Sequence, residues 1–296
     1  MIFLLGSLIA KHQDDLTHLK NISTVQFSLI SFLIIGSIIT NGMKLRALAG
    51  SFNIRLDIKE ILGLSSITTC LNNFFFKSGS LFTSNYLKRR YEFSFMFFVG
   101  SQGADHLVSF FINALCGLII SSIYLTSEKG VFLTLSLVYL TIAVALGLIF
   151  LKTFDLQNRS NKYLNTLIRA VNSLYRIIKN KPLFYTLCFF NLFIVALNTL
   201  RLFLVCKVLE LGIPFGYCLL FITLLPFISA IPIIQSDIGT RELIVGVFSQ
   251  WLGVSFEAGM LATLLDRCFI IFISIIIALF YRNLLASPKY AKPTAH

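Results

Sequence analysis

The chain has 296 residues, 56% hydrophobic and 13% charged, with 25 Lys and Arg against 13 Asp and Glu for a formal net charge of +12. Soluble domains carry about twice that charged fraction, and a mean hydropathy of +0.83 marks an integral membrane protein instead. The longest polar stretch, 152–181, is too short to fold alone, so residues 1–296 are read as a single membrane domain without a catalytic head domain.

Taken in chain order, residues 1–10 are apolar but too short to span, and no basic leader or small-residue cleavage site follows. They are read as part of an incomplete first helix, not a signal peptide. Five uncharged runs, 21–43, 107–127, 130–151, 182–200 and 211–236, each hold about the twenty residues that a helix needs to cross the hydrocarbon.

Basic residues between the runs set the topology. Lys44, Arg46, Arg55 and Lys59 mark one cytoplasmic loop, and Lys88-Arg89-Arg90 marks another. The first half, 21–124, therefore reads as a span over 21–43, a re-entrant hairpin over 59–87 dipping in from the cytoplasm, and a returning span over 93–124. The linking region 125–181 holds a further span, 131–151, and a basic segment in which Leu164, Leu167, Ile168, Val171, Leu174, Tyr175 and Ile178 recur at helical spacing opposite Arg169 and Arg176. That pattern predicts an amphipathic helix lying on the cytoplasmic membrane surface.

The second half, 182–285, has spans over 183–206 and 256–281, and the basic tail 286–296 is cytoplasmic. Two cytoplasmic ends need an even number of crossings, so 213–254 must contribute none or two. Its second arm, Glu242 to Gly253, is too short to cross, which makes 213–254 a re-entrant hairpin entering from outside with its tip at Pro232 to Glu242. The expected fold is all-α: a polytopic membrane helix bundle with two inverted-topology halves and two re-entrant helical hairpins, the plan by which transporters build a midplane site.

Charged groups inside apolar helices cost roughly 2.5–3.5 kcal/mol each on insertion scales, which makes them functional candidates. Asp105-His106 follows the hairpin break Lys77-Ser78-Gly79, and Asp266-Arg267 follows Ser236-Asp237-Ile238-Gly239-Thr240-Arg241-Glu242 in the same manner. Two readings stay open for them: a buried ion-pair network, Asp105 with Arg267, locking the halves together, or a site for a charged head group or proton relay. Arg201, with Asn191 and Asn198 on related faces, either snorkels to the outer surface or contacts a lipid phosphate. Gly239 permits a turn after which a short helix points its N-terminal amides into the membrane, where they would attract an anion; the alternative reading has Asp237 as the cap of that helix. No nucleophile–base pair, phosphate loop or metal-ligand spacing occurs, so no catalytic residue, cofactor or metal site is expected, and the six scattered cysteines read as core residues.

Leu225-Pro226, Ile231-Pro232, Ser236 through Glu242 and Leu265-Asp266-Arg267 together resemble the membrane region of lysylphosphatidylglycerol synthases, a flippase-like family that also occurs as stand-alone proteins of this length. In the first half Lys77-Ser78-Gly79 stands at the family's corresponding turn, although phenylalanines replace its proline, Ser80 its acid, and Gln102-Gly103 a common Glu-Arg pair. The resemblance implies movement of a phospholipid or glycolipid head group between leaflets of a bacterial or archaeal cytoplasmic membrane. Lys77, Arg201, Arg241 and Arg267 would hold anionic groups, and Asp105, Glu242 and Asp266 would balance them. The expected partners are membrane lipids and a lipid-modifying enzyme, with a homo-oligomer allowed and nucleic acid excluded. The rivals are a proton-coupled transporter of a small solute and an anchor subunit for a lipid-modifying enzyme or glycosyltransferase.

Overall fold

A computed structural model describes residues 22–74, 77–126, 130–152, 162–229 and 237–286. Among the described residues there are ten α-helices: α1 (Thr24–Gly50), α2 (Ile58–Phe74), α3 (Ser78–Tyr91), α4 (Phe95–Ile123), α5 (Gly130–Leu151), α6 (Lys162–Lys179), α7 (Lys181–Val208), α8 (Phe215–Ser229), α9 (Asp237–Trp251) and α10 (Phe256–Ala286). Five of them, α1, α4, α5, α7 and α10, are long and apolar enough to cross a membrane. The shortest of these, α5, has 22 residues, or about 33 Å at the α-helical rise of about 1.5 Å per residue. The protein is an all-helical, polytopic membrane protein.

Local signals set the helix ends. Ser23 caps α1 in a capping box with Gln26: the Gln26 amide donates to Ser23 Oγ and the Ser23 amide to Gln26 Oε1. Asn180 caps α7, with Pro182 in its first turn. α1 runs seven residues beyond the expected end of its span, so Lys44 and Arg46 are helical instead of looped, and Lys44 is buried. The sequence reading took the first charge for the membrane boundary, but a buried partner holds this lysine inside.

The four short helices form two pairs, α2–α3 and α8–α9, at the positions of the two expected hairpins. Residues 230–236, which hold Ser236 and the first part of the expected second tip (Pro232 to Glu242), lie outside the described residues; the rest of that tip, Asp237 to Glu242, is the start of α9. Contacts join early and late helices in a reciprocal order: α1 packs on α7, α2 rests on α10, and α8 rests on α4.

Close helix approach depends on small residues. A Cβ at Gly79 would collide with the Thr68 carbonyl, which is how tightly α3 folds back on α2, and the Thr68 and Thr83 hydroxyls bond across the same seam at 2.6 Å. Gly117 on α4 admits the ring of Tyr139 from α5, whose hydroxyl shares a hydrogen bond of 2.9 Å with Thr223 of α8. Gly100 does the same for α6, seating its Ala170 and Ser173 against α4. This last contact corrects the expectation for α6. Its Ile168, Ser173, Ile177 and Ile178 are buried against protein, and Arg176 lies over the Phe52 ring. From Ile168 onward the neighbouring helices cover the stripe where the lipid surface was expected to; the side chains of Leu164 and Leu167 lie outside the described residues.

Candidate functional site

The interior holds a polar chamber of two adjoining compartments, about 320 and 700 Å³, which share Asn41, Thr69, Ser109, Asn191, Asn198 and Ser229 among their walls. Carboxamides and hydroxyls supply much of the polar lining: Asn73 and Asn113 line the smaller compartment, beside Arg241, and Asn72 and Gln102 line the larger, beside His106. Neutral amides can donate and accept without the desolvation cost of a charge, so they line a hydrated cavity cheaply.

The charges of the wall form two pairs. Lys44 Nζ donates to Asp105 Oδ2 at 2.8 Å and Oδ1 at 3.1 Å, with Asn191 bridging both. Arg201 grips Asp266 by two parallel bonds, Nε to Oδ1 at 2.6 Å and Nη2 to Oδ2 at 3.1 Å, and its Nη1 donates to Asn198. Lys44 and Arg201 each stand twenty residues after the first residue of their helices, Thr24 and Lys181. Asp105 and Asp266 each stand ten after theirs, Phe95 and Phe256. A cation–aspartate pair thus occurs twice at the same register within its helices.

A second cation reaches Asp266. Arg241 Nη2 lies 3.4 Å from Oδ2, and among the described residues its buried Nε has no partner. Behind this, Glu242 binds Arg267 Nη1 at 3.2 Å, and Arg267 Nη2 donates to the Asn73 carbonyl at 3.1 Å. Arg267 therefore ties the end of α2 to α9 and α10.

The expected site residues divide accordingly. Lys77, Asp105 and His106 line the larger compartment, and Arg201 and Arg241 line the smaller. Asp266, Glu242 and Arg267 stand behind the wall as buried partners. Asp105 pairs with Lys44, and Arg267 with Glu242, in place of the expected Asp105–Arg267 pair. Arg201 is buried and bidentate, so it does not snorkel. Gly79 and Gly239 serve the backbone: Gly79 for close packing, Gly239 at φ 88°, a left-handed conformation that favours glycine. The Gly239 amide donates to Glu242 Oε2 at 2.7 Å, so the helix's own acid occupies a donor expected to meet an anion. The Asp237 side chain lies outside the described residues. Sequence reasoning missed Lys44 and most of the amides; the signal available was asparagine recurring inside apolar runs at 41, 113, 191 and 198.

Among the described side chains, and counting Asp266 behind Arg201 and Arg241, the chamber sets four cations, Lys44, Lys77, Arg201 and Arg241, against two carboxylates, Asp105 and Asp266. Such a cavity favours an anion. Five apolar spans and an internal chamber with cationic and polar walls define the class: an integral membrane protein with an internal polar site. The chain belongs to the lysylphosphatidylglycerol synthase TM region family, whose model matches residues 13–278. No curated protein matches the sequence.

Proposed function

We propose that the protein carries an anionic lipid head group, such as a phospholipid phosphate, across the bilayer through this chamber, and that transport, not catalysis, is its role. The observation that carries this reading is Arg241. It faces the cavity and, among the described residues, is held by one long contact and keeps a buried Nε donor unpaired. A guanidinium so placed is ready to bind phosphate through two donors at once.

The matched registers of Lys44–Asp105 and Arg201–Asp266, together with the reciprocal contacts α2–α10 and α8–α4, support two inverted halves meeting at the chamber. In that arrangement the halves rock about the α1–α7 contact and expose the chamber to one leaflet at a time. Both carboxylates are engaged in short ion pairs, which favours a lipid substrate over a solute coupled to protons through Asp105 or Asp266.

The test is reconstitution into vesicles containing phosphatidylglycerol with a fluorescent head group, whose leaflet exchange is read by quenching from outside. The wild type should speed exchange over empty vesicles, and Arg241→Gln should abolish most of the gain. Equal exchange with and without protein discards the reading.

A further inference from the structure

A second cavity, about 490 Å³, lies on the far side of α2 from the chamber, between the α2–α3 hairpin and the end of α10. The two faces of α2 are distinct: Thr69, Asn72 and Asn73 line the chamber, whereas Ile67, Cys70 and Leu71 line this groove. Phe82, Ile275 and Leu279 complete an apolar slot, and Phe82 and Leu279 are exposed, so the slot opens toward the surrounding lipid.

Arg89, in the last turn of α3, and Arg282, near the end of α10, also line the groove. Both are exposed, and among the described residues neither makes an ion pair. Their neighbour Arg90 behaves otherwise: it is buried and paired with Glu60 at 2.8 Å. Two guanidiniums on an apolar slot, with no carboxylate of their own, call for a ligand that is anionic at one end and apolar along its length. Free phosphate would satisfy the arginines and leave the slot empty. A zwitterionic lipid would bring an ammonium group against them.

We propose that this groove binds an anionic phospholipid, with its phosphodiester held by Arg89 and Arg282 and one acyl chain laid along Ile67, Leu71, Phe82, Ile275 and Leu279. The basic residues place this end of the molecule at the cytoplasmic surface, where anionic head groups concentrate and each nearby basic residue adds attraction. Asn85 in the same lining supplies a neutral donor for the glycerol part of the head group. The site is separate from the transport chamber, and the proposal does not rest on the transport reading.

Binding is measured on the full chain in neutral detergent by native mass spectrometry, with dioctanoyl phosphatidylglycerol, dioctanoyl phosphatidylcholine and glycerol 3-phosphate as probes. The wild type should retain phosphatidylglycerol in preference to the other two. The double variant Arg89→Gln/Arg282→Gln should bind it roughly thirtyfold more weakly, the loss expected for two surface arginines. Leu279→Trp, which fills the slot and leaves both charges, should weaken it as well, while Lys88→Gln, outside the groove, should not. Unchanged affinity in the double variant, an equal loss in Lys88→Gln, or equal retention of phosphatidylcholine by the wild type would each overturn the assignment. So would a dimer whose formation, not lipid, is lost in the double variant.

Discussion

The carboxylate of Asp266 is shared between two guanidiniums of unequal standing: Arg201 holds it by two bonds, the shorter 2.6 Å, whereas Arg241 reaches it across 3.4 Å. Arg201 is 4% exposed, and the Arg241 side chain is 18% exposed toward the cavity. One arginine neutralises the acid; under the proposed transport function the other meets the lipid phosphate.

That inequality separates function from stability. Arg201→Gln should leave Asp266 a buried charge with only a weak partner and destabilise the fold by about 3–5 kcal/mol, seen as a large drop in thermal midpoint in detergent. Arg241→Gln should cost about 1 kcal/mol or less while removing most leaflet exchange. Equal loss of stability in both variants would contradict the division of roles.

The Lys44–Asp105 pair offers a cleaner cycle, because no third cation touches that carboxylate among the described contacts. Lys44→Met alone should destabilise by about 3–5 kcal/mol, because Asp105 would stay buried with Asn191 alone, whereas Lys44→Met/Asp105→Leu should recover much of the loss. A double-mutant cycle on thermal midpoints reads the coupling directly; strictly additive effects would show that the pair is not an energetic unit.

Glu60 closes the base of the first hairpin. It is 1% exposed, pairs with Arg90, accepts from the hydroxyls of Tyr86 at 2.6 Å and Tyr91 at 2.9 Å, and takes the Asp57 amide at 3.1 Å. Glu60→Gln keeps the shape but strips the charge that Arg90 needs. Hydrogen exchange along α3 should rise by roughly tenfold or more, the cost of uncoupling a buried hydrogen-bonded charge being about 1.5–3 kcal/mol, with α5 unaffected.

Two glycines make a matched test of packing. Gly79→Ala drives a methyl into the Thr68 backbone and should cost about 1–3 kcal/mol by overpacking. Gly147→Ala, inside α5 with nothing within 4 Å of a new Cβ, should be neutral or stabilising by up to about 1 kcal/mol. Thermal midpoints of the two variants should therefore move apart.

Much of the fold was legible without coordinates, because lipid enforces simple rules. A helix must be apolar and long enough to cross, so α4, α5 and α7 fall within a few residues of their expected ranges. The break between α2 and α3, which ends at Lys77, was legible to within a few residues for the same reason: polar residues and glycine at Lys77 to Gly79 interrupt an apolar run. Asp105, Arg201, Arg241 and Asp266 were visible because charge in such runs is conspicuous. Lys44 was not, since it lies at the edge of a run, where a lysine ordinarily faces water.

Composition and the spacing of charges alone determined that this is a helical membrane protein with ionisable groups at matching places along its length. Only tertiary structure decided which charges meet, because ion pairing depends on distance between helices and not on order in the chain. It put Lys44 against Asp105 and gave Asp266 two arginines. It also laid the amphipathic helix α6 on protein, since an apolar stripe carries no record of whether lipid or another helix will cover it.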